Sequence, residues 1–188
     1  KGKTTAAFGQ ALRAAGSGLK TFIVQFMKNS PYGEIKIFEQ IPDWVTFEHY
    51  GNDSFVFSNI AAGEKDIYMA QQAFHRARKA MSSGKFDIVI MDEVCVAIFF
   101  ELLKTQDLLS LLEEKPGSVE LILTGRYCPP ELIERKDVIK VQRPKGNPQI
   151  RFFIPISGLL TSIGKTFREV LISSKPTKFV VKRSVNSR

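Results

Sequence analysis

The first residues of the chain, KGKTTAAFGQ, have the composition of a phosphate-binding loop that leads into a helix. In a complete loop, G-x-x-x-x-G-K-[ST], backbone N–H groups surround the phosphates, the lysine supplies a positive charge, and the Ser or Thr hydroxyl reaches Mg²⁺. Gly2, Lys3 and Thr4 match the end of that pattern. Taken alone, so short a match favours an ordinary glycine turn before a helix that is capped by threonine.

A second candidate for chemistry is the acidic pair Asp92 and Glu93, at the end of the segment FDIVIMDE. Carboxylates that follow a buried strand can hold a divalent metal or its water molecules. The same pair can equally begin the next helix, because acidic side chains stabilise a helix N-terminus. The occurrence of both motifs in one chain favours a nucleotide-binding site over two coincidences.

Apolar periodicity predicts the elements that would position these residues. Strands are expected at residues 20–26, 44–50, 86–91, 118–124 and 137–142, and the last of these is expected to close the sheet. Helices are expected at residues 4–15, 64–84, 96–117 and 129–136. The strands are apolar without alternation, which is typical of a parallel sheet covered on both faces. Alternation of strands and helices therefore predicts an α/β fold with a mostly parallel sheet.

Composition limits the possible classes of protein. The chain has 188 residues, of which 44% are hydrophobic, enough for one globular core. No apolar run approaches the roughly 18 residues that a membrane span needs, so no membrane association is expected. Cys95 and Cys128 lack the spacing of metal ligands, and the two histidines form no cluster with them. Such sparse cysteine usage is typical of a reduced cytoplasmic protein.

The net positive charge of the chain comes from its last quarter. Residues 1–142 hold 17 Lys and Arg against 18 Asp and Glu, whereas residues 143–188 hold ten against one. A basic tail can bind nucleic acid, so one alternative is a nucleotide-binding module with a nucleic-acid-binding tail. The aromatic residues of the tail are not patterned as such a surface requires, and we expect nucleic acid not to be the partner.

Four blocks of the sequence resemble the ATP:corrinoid adenosyltransferases: KGKTTAAFGQALRAAGSG, FIVQFMK, FDIVIMDE and LILTGRYCPPELIE. Their order and spacing match that family over residues 1–142, which we take as the domain. The resemblance implies a RecA-like P-loop fold that transfers the 5′-deoxyadenosyl group of ATP to the Co(I) of a reduced corrinoid. Triphosphate would leave, and no catalytic general base is expected because Co(I) is itself a strong nucleophile.

The resemblance also implies roles for individual residues. The polyphosphate of ATP would be bound by Lys1, Gly2, Lys3, Thr4 and Thr5. Mg²⁺ or Mn²⁺ would be held by Thr4 and Glu93, with Asp92 beside the metal or its waters. Arg13 and Arg126 would lie near the nucleotide, and Gln25 and Lys28 would line the site.

The corrinoid would be bound by Phe55 and Phe57 in the segment GNDSFVFS. Relatives carry a Phe and a Trp two residues apart, which press on the lower face of the corrin; here the Trp position would be Phe. Two aromatic residues with this spacing are also typical of strand packing, so both interpretations remain. The resemblance further implies a homodimer and a reductase partner, such as a flavoprotein, in the cytoplasm.

Both ends of the sequence depart from the family pattern. The given sequence starts within the phosphate-binding loop and lacks the first glycine of the pattern and the strand before it. We therefore expect an N-terminally truncated domain whose first strand is missing. Such a sheet would expose hydrogen-bonding edges and be poorly stable. Residues 143–188 match no part of the family and are expected to lie outside the functional fold.

Overall fold

The computed structural model describes residues 2–28, 33–51, 63–135, 138–142 and 151–155. The helices are α1 Lys3–Gly16, α2 Gly33–Phe38, α3 Glu64–Ser82, α4 Val94–Phe99, α5 Thr105–Glu114 and α6 Pro130–Glu134. The strands are β1 Thr21–Phe26, β2 Val45–Tyr50, β3 Ile88–Asp92, β4 Glu120–Leu123, β5 Val138–Gln142 and β6 Arg151–Pro155.

The described strands form a single sheet in the order β2-β1-β3-β4-β6-β5. The first four are mutually parallel, whereas β6 runs antiparallel to both β4 and β5. Parallel strands end at the same edge, so the carboxyl ends of β1, β3 and β4 lie side by side. The predicted α/β class with a mostly parallel sheet is confirmed.

Helices cover both faces of the parallel strands, which explains why those strands are apolar throughout. On one face Ile23, Ile90 and Ile122 form a row across three strands and pack against Ala7, Phe8 and Ala11 of α1. On the other face, Phe22 and Val24 of β1 pack with the small side chains of α3, among them Ala73 and Ala77. This packing fixes the first turn of α1 beside the carboxyl edge of the sheet.

One predicted helix is divided in two. The sequence predicted a single helix over residues 96–117, but α4 ends at Phe99 and α5 begins at Thr105. Glu101 takes the left-handed conformation, with φ at 59°, and the Leu102 N–H donates to the Ala97 carbonyl, 2.9 Å away. The break turns Leu102 and Leu103 into the core, where they are 3% and 7% exposed. Burial of two leucines thus outweighs continuation of the helix.

The far side of the sheet also differs from the expectation. Residues 138–142 form a strand as predicted and lie at the edge of the sheet, but β6 separates this strand from β4. Strand β6 comes from residues 143–188, which were expected to lie outside the functional fold. The domain boundary at residue 142 itself stays a prediction.

Candidate functional site

Polar side chains meet where β1, β3 and β4 end. Gln25 of β1 is in register with Asp92 of β3, and Thr124 follows the last residue of β4. All three are at most 1% exposed. The first turn of α1 brings Thr4 to the same place, since its hydroxyl contacts Asp92. Open parallel sheets bind ligands at this edge, so the cluster is the candidate site.

The carboxylate of Asp92 accepts hydrogen bonds on both oxygens. The Thr4 hydroxyl lies 3.1 Å from each oxygen. The Gln25 amide nitrogen donates to Oδ2 at 2.8 Å, and the Thr124 hydroxyl donates to Oδ1 at 2.5 Å. Asp92 therefore joins α1, β1 and β4 through neutral donors. These bonds satisfy a side chain with no exposure to solvent, which would otherwise be costly to bury.

Glu93 lies beside Asp92 but is held differently. Its backbone is left-handed, with φ at 64°, which is uncommon for a residue other than glycine. Its N–H donates to the Thr124 hydroxyl at 2.9 Å, and its carboxylate lies 3.3 Å from the Lys28 ammonium. Lys28 is also 4.0 Å from Asp92. The end of β3 therefore places the carboxylates of Asp92 and Glu93 beside the Lys28 ammonium.

Lys3 contributes a positive charge at the N-terminus of α1. It is 6% exposed, and burial lowers the pKa of its ammonium below the ordinary value of 10.5. The charges of Arg126 and Lys28 also lower the pKa of Lys3, whereas those of Glu93 and Asp92 raise it. These four side chains are thus close enough to act on Lys3. A helix N-terminus with a buried lysine and further cations nearby is suited to a polyphosphate.

The other predicted residues are placed as follows. Thr5 is exposed in the first turn of α1. Arg13 lies in the last turn of the same helix, roughly 15 Å along its axis from Lys3 at 1.5 Å per residue. The helix therefore does not bring Arg13 into the cluster around Asp92. Lys1, Phe55 and Phe57 lie outside the described residues.

Thr124 belongs to this cluster but was not predicted from the sequence. Its position in the segment LILTGR carried a usable signal, because a polar residue directly after a buried parallel strand lies at the ligand-binding edge.

Two cysteines lie near the same turn, Cys95 in α4 and Cys128 after Arg126, and both are buried. A hydrogen bond with Cys128 and burial raise the pKa of Cys95 well above 9.0, so its thiol stays protonated at neutral pH.

The oxygen donors of the cluster fit a magnesium ion. Mg²⁺ prefers oxygen ligands and commonly takes one or two carboxylates together with substrate phosphates and water. Thr4, Asp92 and Glu93 offer such oxygens. In the described part of the chain, no group of three or more His, Cys, Asp or Glu side chains could form a metal site alone.

Comparison with known proteins identifies the family. The model of the ATP:corrinoid adenosyltransferase BtuR/CobO/CobP family matches residues 1–146. The chain belongs to this family. The match includes α1, the carboxyl ends of β1, β3 and β4, and every side chain of the candidate site.

Curated relatives agree with this membership. A corrinoid adenosyltransferase of Escherichia coli K12 is 32% identical over 145 residues, which cover 77% of this chain and 72% of the relative. Corrinoid adenosyltransferase CobA of Salmonella typhimurium is 31% identical over the same shares. A corrinoid adenosyltransferase of Pseudomonas aeruginosa is 29% identical over 74% of this chain and 68% of the relative. Among the described helices, none has the length and apolar character needed to cross a membrane.

Proposed function

We propose that this enzyme transfers the 5′-deoxyadenosyl group of ATP to the Co(I) of a reduced corrinoid, in the biosynthesis or salvage of adenosylcobalamin. Membership of the family supports an adenosyltransferase. The observation that carries the proposal is the meeting of Lys3 and Thr4, at the start of α1, with Asp92 and Glu93, at the end of β3. That arrangement is suited to a metal-bound polyphosphate.

In the proposed reaction Co(I) attacks the 5′-carbon of ATP with an electron pair. A cobalt–carbon bond forms, the bond from that carbon to the α-phosphate oxygen breaks, and triphosphate leaves with the electrons of the broken bond. No proton is removed from the nucleophile, so the protein need not supply a general base. Its contribution is to orient ATP and to offset the negative charge of the leaving group.

Lys3 is the residue best placed to offset that charge. Burial partly desolvates its ammonium and lowers its pKa, so a neighbouring polyphosphate gains more from it than from a fully solvated lysine. Arg126 and Lys28 add positive charge from the turns after β4 and β1. When bound, Mg²⁺ would neutralise further phosphate charge, held by Thr4 and the two acidic residues. These cations would position the triphosphate so that the 5′-carbon faces the cobalt.

Further features of the proposal come from the family resemblance. Phe55 and Phe57 would contact the corrinoid, and Arg13 would contact a part of the nucleotide away from the phosphates. A flavoprotein or another electron donor would supply the Co(I) state. We propose a homodimer that acts in the cytoplasm.

The direct test is an assay with the full chain, Mg²⁺, ATP and chemically reduced cobalamin. We expect adenosylcobalamin, detected by its absorbance spectrum, and one triphosphate for each cobalt–carbon bond. Lys3→Met should lower kcat/KM for ATP by about 10- to 100-fold, because a charge-assisted hydrogen bond contributes roughly 1.5–3 kcal/mol.

Lys85→Met is the matched control, since Lys85 is exposed in the loop between α3 and β3, and we expect its rate to equal that of the wild type. Release of orthophosphate without a cobalt–carbon bond would contradict the adenosyl transfer. ATP hydrolysis that depends on added DNA would favour the alternative of a nucleic-acid-binding module.

A further inference from the structure

Thr124 uses its backbone and its side chain to bond the turn between β3 and α4. Its N–H donates to the Met91 carbonyl at 3.1 Å, and its carbonyl accepts the Cys95 N–H at 3.2 Å. Its hydroxyl donates to Asp92 Oδ1 at 2.5 Å and accepts the Glu93 N–H at 2.9 Å. One buried residue therefore contacts four of the five residues from 91 to 95.

The hydroxyl of Thr124 connects the two acidic residues with each other. As a donor it orients the Asp92 carboxylate, and as an acceptor it binds the Glu93 backbone in its left-handed conformation. A backbone in that region is unfavourable for glutamate unless neighbouring groups hold it. A side chain of the same shape without a hydroxyl could do neither. The geometry of both acids thus depends on one oxygen atom.

Thr124 and Gln25 together hold Asp92 independently of Thr4. Gln25 donates to Oδ2 and Thr124 to Oδ1, so each carboxylate oxygen has one donor from the sheet. Thr4 contacts both oxygens at 3.1 Å. If the Thr4 hydroxyl turns to a metal, Asp92 still has a fixed orientation.

We propose that Thr124 is a positioning residue that sets the affinity of the site for the divalent metal accompanying ATP. The inference rests on the proposed function, because that function brings ATP and its metal to Asp92 and Glu93. Partners of metal-binding groups commonly change metal affinity by about 10- to 100-fold when they are removed. Thr124 acts only through Asp92 and Glu93 and is not expected to touch the substrate.

The experiment compares three variants of the full chain. Thr124→Val keeps the side-chain shape and removes both hydroxyl bonds, whereas Thr124→Ser keeps the hydroxyl. Thr21→Val is the matched control. Thr21 is as buried as Thr124 but lies at the start of β1, at the end of the strand away from Gln25 and the site, and its hydroxyl has no hydrogen-bond partner among the described residues. Three measurements are made: the Mn²⁺ and Mg²⁺ dependence of ATP binding by calorimetry, the KM for the corrinoid, and hydrogen exchange of the peptide that contains Glu93.

In Thr124→Val we expect the metal concentration for half-maximal ATP binding to rise about tenfold or more. The KM for the corrinoid should stay unchanged, and the Glu93 amide should exchange faster even without ATP. Thr124→Ser and Thr21→Val should both keep the metal dependence and the Glu93 exchange rate of the wild type. A merely structural role for Thr124 would not produce this selective change in metal dependence.

Two contrary results are distinguishable. Metal-dependent ATP binding in the wild type, with identical metal dependence in Thr124→Val, would overturn the inference and leave the proposed function standing. If the wild type showed no metal-dependent ATP binding, the proposed function and the inference would both be overturned. If Thr124→Ser required as much metal as Thr124→Val, the proposed role of the hydroxyl would also be overturned.

Discussion

Among the described residues, the carboxylates of Glu48 and Asp92 each accept hydrogen bonds on both oxygens, yet their surroundings differ. Glu48, on β2, accepts two bonds from the Arg76 guanidinium of α3 and one from the Tyr50 hydroxyl at 3.0 Å. Asp92 accepts its bonds from the neutral groups of Thr4, Gln25 and Thr124. Glu48 is thus matched by a full positive charge, whereas Asp92 is held without one in its hydrogen bonds.

The difference separates a structural carboxylate from one suited to binding. The bidentate contact with Arg76 offsets the negative charge of Glu48, so this carboxylate attracts a further cation only weakly. Asp92 is completely buried, and the Lys28 ammonium is 4.0 Å away. A buried charge held by neutral donors gains strongly from an incoming cation. We therefore infer that the Asp92 carboxylate supports binding of the metal, whereas the Glu48 carboxylate stabilises the fold.

Removal of each charge is the strongest test of this contrast. Asp92→Asn should lower the rate of adenosyl transfer by about 10- to 100-fold and raise the Mg²⁺ requirement, because the negative charge that supports the metal is lost while the side-chain shape is kept. Glu48→Gln should leave both quantities nearly unchanged. The measurement is the rate of adenosylcobalamin formation across a Mg²⁺ titration. Equal losses of rate in the two variants would contradict different roles for Asp92 and Glu48.

Gly125 offers a second test, because the Asp92 network requires two turns to lie in contact. Its φ is 142°, and an added Cβ would lie 2.7 Å from the Cβ of Cys95. Gly125→Ala should therefore lower the free energy of unfolding by about 2 kcal/mol, measured by urea denaturation. Gly9→Ala is the control: no atom lies within 4 Å of an added Cβ in α1, and helix propensity predicts a gain of about 1 kcal/mol. A stable Gly125→Ala would show that the turns can separate.

Much of the Asp92 side of this comparison could be predicted from sequence. The apolar strand before Asp92 and the Gly-Lys-Thr before α1 are local patterns, and parallel topology then places both at one edge of the sheet. Gln25 was assigned to the site without a role. Its bond to Asp92 depends on the register between β1 and β3, which no local pattern encodes.

The remaining features depend on contacts between distant segments. Glu48 and Arg76 are 28 residues apart and meet only because α3 packs on β1 and β2. The division of residues 96–117 into two helices follows from burial of Leu102 and Leu103, which helix propensity does not report. Strand β6 was missed for a similar reason, because its pairing with β4 is antiparallel and distant in sequence.

Acid titration should reveal the structural role of Glu48. Its hydrogen bond with Arg76 holds the pKa of Glu48 below the ordinary 4.5. Stability from this pair is therefore fully present above pH 4.5 and is lost as pH falls through the lowered pKa of the folded state. The Arg76 side chain is 40% exposed, so solvent screening limits the contribution to about 1 kcal/mol or less.

Urea midpoints measured between pH 3 and 7 should show this loss in the wild type and a flatter profile in Glu48→Gln. The variant should also be less stable than the wild type at pH 7, and the difference should shrink towards pH 3. Parallel profiles for the two proteins would contradict a stabilising role of the ionised carboxylate.

The smallest expected effect comes from Tyr50, the neutral partner of Glu48. Tyr50→Phe removes one hydrogen bond, but the Arg76 guanidinium still contacts both carboxylate oxygens. We expect a loss of about 0.5 kcal/mol in the free energy of unfolding at pH 7. Burial and the hydrogen bond to Glu48 raise the pKa of Tyr50 above 10.0, so its hydroxyl remains a donor at that pH. A loss as large as that of Glu48→Gln would instead make the neutral donor the main support of Glu48, and Glu48 would then resemble Asp92.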